Sequence, residues 1–102
     1  MLKLFISQPM KGKTDEEILQ ERNRIISMVQ AQYGSVQVID SFIKENPPKD
    51  VNTPLWFLAR SIGFLSKADV AYFASGWWNV RGCKIEHECA EAYGVQIIEE
   101  ED

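Results

Sequence analysis

With 102 residues and 45% hydrophobic content, the chain can form one domain with a real but small core. A net charge of −4 and the lack of any basic run exclude duplex nucleic acid as an expected partner. No apolar run approaches the ~20 residues of a membrane span. The first residues carry neither an h-region nor a small-residue cleavage site, so the sequence predicts a cytoplasmic protein.

Leu2 to Ser7 (LKLFIS) reads as a buried strand and SQPMKGKT as the loop after it. Thr14 and Glu17 form a capping-box pattern with Asp15 and Glu16 in the first turn. The helix they open is predicted to reach Tyr33, with Ile18, Arg22, Ile25 and Val29 along one stripe and Gly34 as the stop. Val36 to Ser41 is a second predicted strand, ending at Asp40. Pro47 and Pro48 mark a loop from Asn46 to Thr53.

Thr53 is the expected cap of a helix with Pro54 in its first turn, running to about Lys67. Its apolar arc holds Leu55, Phe57, Leu58, Ile62, Phe64 and Leu65, with Ser61 inside it and Trp56 opposite. Val70 to Ala74 is a third strand, and Ser75 to Arg81 is a loop with two adjacent tryptophans. A helical pattern opens at Gly82 and ends at Tyr93, with Gly94 as a good residue just past its end. Val95 to Ile98 is the last strand, and the acidic tail from Glu99 to Asp102 is expected to fray. The order βαβαβαβ predicts an α/β, Rossmann-like or flavodoxin-like domain over residues 1–102. Such a domain has a parallel sheet of about four strands and helices on both faces.

The loop Ser7–Thr14 nearly matches a P-loop. Ser7 stands where the first glycine belongs, however, and Pro9 removes a backbone donor from the cradle. A looser anion site remains open, because the loop feeds a helix N-terminus beside Lys11 and Lys13. Cys83 and Cys89 lie six apart on one helix, and a single histidine cannot complete a zinc site with them. They read as reduced thiols, and no metal is expected. Trp77 and Trp78, beside Arg81, offer flat faces for a nucleobase, or else one packs on the domain and the other meets a partner. Asp69, at a strand start, and His87, on the outer arc of its helix, read as structural.

Glu86 is the one charge on the apolar arc of the last helix. A carboxylate there is costly unless paired. The sequence places it in the first turn, facing the crevice at the carboxyl ends of parallel strands. It therefore reads either as a buried acceptor for backbone donors or as a nucleophile or general base. The donors are expected to outweigh burial and keep it ionised at pH 7.

FISQPMKG near the start and KADVAYFASGWWNVRGCKIEHECAEAYG near the end, with the element order between them, resemble the nucleoside 2-deoxyribosyltransferase-like superfamily. The similarity is strongest to a short branch found in bacteria and phages, and it spans nearly the whole chain. The resemblance implies chemistry at the N-glycosidic bond of a deoxyribonucleoside or its 5′-monophosphate, with no cofactor. It implies that Glu86 attacks the anomeric carbon and that water or a second base resolves the glycosyl ester. Ser7, Gln8, Pro9, Met10 and Gly12 then line the sugar or phosphate. The crevice reading of the residues themselves adds Ser61, Gly76, Trp77, Trp78, Arg81 and Gly82 as the expected remainder of the substrate site. Three positions depart from the family pattern. Ser61 stands for an aspartate, Leu4 for a tyrosine and Val80 for a phosphate-binding serine. Asp40 or Arg81 must then replace the missing acid.

Two functions of different class follow. One is an N-glycosidase or deoxyribosyltransferase acting on a small nucleoside or nucleotide. The other is a nucleotide sensor or sponge that keeps the pocket without the chemistry. A third reading, an interaction protein, draws on Trp56 and the acidic tail. Trp56, Trp77 and Trp78 together also predict a homodimer or larger assembly.

Overall fold

The computed structural model describes residues 1–41 and 43–100. Its elements are β1 (Leu2–Ser7), α1 (Asp15–Tyr33), β2 (Val36–Val38), α2 (Thr53–Leu65), β3 (Val70–Phe73), a 3₁₀ turn (Trp77–Asn79), α3 (Arg81–Ala92) and β4 (Gln96–Glu99). The four strands form one parallel sheet in the order β2-β1-β3-β4. This is the flavodoxin-like arrangement, with its reversal of strand order at β1 and β3. Leu4 pairs with Val38 on one side and with Val70 on the other. No described helix is long and apolar enough to cross a membrane.

Two apolar layers sandwich the sheet. Leu4, Ile6, Val70 and Tyr72 meet Ile25 and Val29 of α1 on one face. Phe5, Ala71 and Phe73 meet Leu65 of α2 and Ala90 of α3 on the other. Strand alternation sends Leu4 and Ile6 one way, Phe5 and Ser7 the other. Each large side chain removed from water contributes about 1.5–3 kcal/mol.

The helix ends follow local chemistry. Thr14 Oγ1 accepts from the Glu17 amide at 3.1 Å, and Glu17 Oε1 accepts from the Thr14 amide at 3.0 Å, which completes the capping box. Asn52, not Thr53, caps α2, and its Oδ1 accepts from the Leu55 amide at 3.1 Å. At the end of α3, Gly94 takes φ +75° and the Val95 amide donates to the Ala90 carbonyl at 2.9 Å.

Several boundaries differ from expectation. β2 stops at Val38, because this edge strand leaves β1 soon after the Ile39 amide donates to the Leu4 carbonyl. α2 ends at Leu65, and α3 begins one residue early, at Arg81. Leu55 and Phe57 are exposed on the side of α2 that faces an open cleft, and Tyr93, just past the end of α3, is 86% exposed. Trp56 is half-buried, edge-on to Phe57 and covered by the Arg60 guanidinium.

The tail does not fray at Glu99 or Glu100. Glu99 ends β4, and Glu100 accepts from Tyr72 Oη at 2.7 Å and from the Ser75 amide at 3.1 Å, while pairing with Arg24. Burial pushes the Glu100 carboxyl up, but the Arg24, Tyr72 and Ser75 contacts together hold it below the usual range. Glu101 and Asp102 lie outside the described residues. At the opposite end of the strands Asp69 is structural, since Lys3 and Asp69 exchange two hydrogen bonds there.

Candidate functional site

A cleft of about 1530 Å³ opens beyond the carboxyl end of β1, bounded by α1, α2, the segment after β2 and the start of α3. A pocket for one small ligand usually measures about 300–1,000 Å³. Its polar lining comes from the first loop (Ser7, Gln8, Lys11), from Asp15 and Arg22 of α1, from Asp40 and Ser41, from Ser61 of α2, and from Arg81 and Glu86 of α3. Ile18, Leu19, Ile43, Leu55, Phe57 and Leu58 make the apolar wall.

Glu86 lies at the back of this cleft and is 7% exposed. It sits in the second turn of α3, because the helix begins at Arg81. Its partners are side chains. Ser7 Oγ donates to Oε1 at 2.6 Å, and Ser61 Oγ donates to Oε2. Burial drives the Glu86 carboxyl above the usual glutamate range, against the opposing pull of the Ser61 and Ser7 hydroxyls. The expected balance is thereby reversed, since burial wins over the donors.

Two neighbours complete this corner. Burial also raises the thiol of Cys83, one turn before Glu86. Gln8 is 6% exposed and turns its amide toward α1. Its Nε2 donates to the Ile18 carbonyl at 3.3 Å and to Glu21 Oε1 at 2.9 Å. Those two acceptors fix the amide orientation and leave Oε1 as a buried acceptor without a partner. Glu21 also pairs with Lys13 at 3.4 Å, which ties the loop to α1.

The structure therefore brings Ser7, Gln8, Met10, Asp40, Ser61, Arg81, Gly82 and Glu86 to one cleft. Pro9, Gly12, Gly76, Trp77 and Trp78 are not among its lining residues. Gly76, at φ +85°, turns the chain so that the 3₁₀ turn folds Trp77 back on the domain. The Trp77 ring stacks on His87 with 4.2 Å between centroids and 8° between planes, and it also meets Phe73. Trp78 meets Trp77 edge-on and is 40% exposed. His87 is not on an outer face. It lies between Trp77 and Phe73, with Nε2 at 2.6 Å from Glu99.

The sequence reading missed Arg22 as a site residue. Burial lowers the Arg22 pKa and the charge of Asp40 opposes that shift, so the two interact at the cleft. The signal was present, because Arg22 is a charge inside an apolar stripe, as Glu86 is. Among the described residues, no group of three His, Cys, Asp or Glu side chains is placed to hold a metal ion.

No family model matches the chain, and no curated protein is similar to it in sequence.

Proposed function

We propose that this cleft cleaves the N-glycosidic bond of a small nucleoside or nucleotide, with Glu86 as the nucleophile. One observation carries the reading. A carboxylate sits buried at the back of an open cleft, at the point where strand order reverses, held by two hydroxyls. A purely structural glutamate at this depth would be costly without a cationic partner. A nucleophile in glycosyl transfer needs that placement. Lys11 and Arg81, which line the same cleft, suit a 5′-phosphate.

In this reading Ser7 and Ser61 orient the carboxylate, and Glu86 forms a glycosyl ester that water or a second base opens. Asp40 faces the same space. The test is incubation with deoxynucleosides and their monophosphates, read out as free base. Glu86→Gln should abolish release and leave nucleotide binding within about tenfold, roughly 1.4 kcal/mol. Release at the wild-type rate by Glu86→Gln would refute the assignment.

A second reading, a nucleotide sensor or sponge, draws on the raised pKa of Glu86, because the protonated form binds without attacking. Wild-type protein that binds nucleotides tightly and releases no base would favour it. We also propose that the protein self-associates through the cleft mouth, where Leu19, Leu55, Phe57 and Met10 are all exposed.

A further inference from the structure

The two side chains hydrogen-bonded to Glu86 share a chemical property, in that each spends its proton on the carboxylate. A serine hydroxyl has one proton to donate. Ser7 commits its proton to Glu86 Oε1 and Ser61 commits its proton to Oε2. Each serine is left with acceptor capacity alone toward a ligand. A carboxylate is itself acceptor-only. With Glu86 ionised, the part of the wall from which it would attack, the Ser7–Glu86–Ser61 cluster, therefore offers a ligand lone pairs and no proton.

Such a wall opposes one kind of leaving group and suits another. A neutral base departs as an anion unless a proton reaches it. A base that already carries a positive charge departs neutral. The developing positive charge at the anomeric carbon is stabilised by the same acceptors.

We propose that the substrates of this site are N-glycosides with a cationic base, namely pyridinium or N-alkylated purine nucleosides, free or 5′-phosphorylated. The proposal rests on the assignment of Glu86 as nucleophile. The charges along the cleft fit a molecule of mixed sign. Asp15, Asp40 and Glu86 are balanced by Lys11, Arg22 and Arg81, which matches a cationic ring joined to an anionic phosphate.

The steps balance without an added acid. A Glu86 oxygen bonds to the anomeric carbon as the carbon–nitrogen bond breaks. The bonding pair returns to the ring nitrogen and cancels its charge, so the base leaves neutral. Water then attacks the same carbon, the ester carbon–oxygen bond breaks, and Glu86 is regenerated as a carboxylate. One proton passes to solvent.

The test uses matched substrates that differ in charge on the base. These are nicotinamide riboside against its neutral dihydro form, and 7-methylguanosine against guanosine, each also as the 2′-deoxy compound and the 5′-phosphate. Release of base is followed for wild type and Glu86→Gln. General acid catalysis contributes about 10²–10⁴-fold, and a proton donor in the cleft would level the two classes. The expected result is that kcat/KM for each cationic substrate exceeds that of its neutral match by at least about 10²-fold, and that Glu86→Gln abolishes it. Cleavage of neutral substrates within about tenfold of the cationic ones would overturn the substrate class and leave the glycosidase reading standing. Cleavage of neither class, or equal cleavage by Glu86→Gln, would overturn both.

Discussion

Replacing Glu86 by glutamine should make the protein more stable as it makes it inactive, and the gain should depend on pH. Glu86 is 7% exposed, and its oxygens are held by Ser7 and Ser61. Burying an ion costs several kcal/mol. Two hydrogen bonds to a charged acceptor return about 1.5–3 kcal/mol each, against about 1 kcal/mol for a neutral bond. Because burial outweighs the two donors in setting the Glu86 pKa, the cost exceeds the return. Glutamine has the same shape and carries no ion; its oxygen accepts one serine proton and its amide N–H donates to the other hydroxyl, which turns to accept. The net gain should be on the order of 1 kcal/mol, which for a domain of this size is about 4–8 °C in Tm. The sign with pH follows from the raised pKa. The folded state holds the Glu86 proton more tightly than the unfolded chain does. Wild-type stability from this group is thus fully present below the ordinary glutamate pKa of about 4.3. It is lost as pH rises through the folded value. The advantage of Glu86→Gln should be near zero at acid pH, grow above it and then level off. Thermal melts of both proteins at intervals from pH 4 to pH 8 would show this. A variant less stable than wild type at pH 8, or a difference that does not change with pH, would refute the reasoning.

Removing the Ser61 hydroxyl (Ser61→Ala) strips one donor from Glu86, so the acidic limb of kcat/KM for base release should move to higher pH. Stability at pH 8 should fall by about 1–3 kcal/mol, read from urea midpoints. Glu100→Gln should weaken the contacts that hold β4 and the Ser75 turn to Arg24. The folded pKa of Glu100 is depressed, so its contribution is present at neutral pH and is lost as pH falls through that folded value. The melting difference between wild type and Glu100→Gln should therefore close on acidification. Asn52→Ala removes the α2 cap and should cost about 1 kcal/mol in chemical denaturation. Light scattering at working concentration should give a mass above the 11.7 kDa of one chain, and a monomer mass would rule out self-association.

Much of the fold was legible because the period of apolar residues switches cleanly between two and 3.6 along the chain. β1 and α1 fell where the sequence placed them, the latter because Thr14 and Glu17 make a reciprocal cap that few other conformations satisfy. β2 was overextended because Ile39–Ser41 looks like strand locally, while only pairing with β1 decides where an edge strand ends. Asn52 and Thr53 are both good caps, and local preference could not choose between them. Glu86 stood out as a lone charge on an apolar arc, and the same logic applied to Arg22 would have found it too. The partners of Glu86 were not legible. Ser7 and Ser61 lie 79 and 25 residues away in the chain, and neither has a local signature that points to a carboxylate. Trp77 was hidden for a similar reason, since its stacking on His87 depends on the turn that Gly76 makes.

Those three side chains nonetheless follow one rule once the layers are known. The core beneath α2 and α3 is built from Phe5, Leu65, Ala71, Phe73 and Ala90. Strands and helices run in opposite directions here, so moving toward the carboxyl ends of the strands means +2 along a strand and −4 along a helix. From Phe5 that step reaches Ser7, from Leu65 it reaches Ser61, and from Ala90 it reaches Glu86. Each polar residue thus occupies the place where its own apolar stripe would have continued by one more layer. The core stops there, and the two hydroxyls and the carboxylate close on one another in the layer above it. A shift of one residue in α3 would present Ile85 or His87 instead, neither of which can accept both serine protons. The burial of Glu86 is therefore a consequence of register, since it lies one turn from Ala90, which is fully buried against the sheet. The raised pKa follows from the same register, because the layer that holds the carboxylate is the last layer of the core.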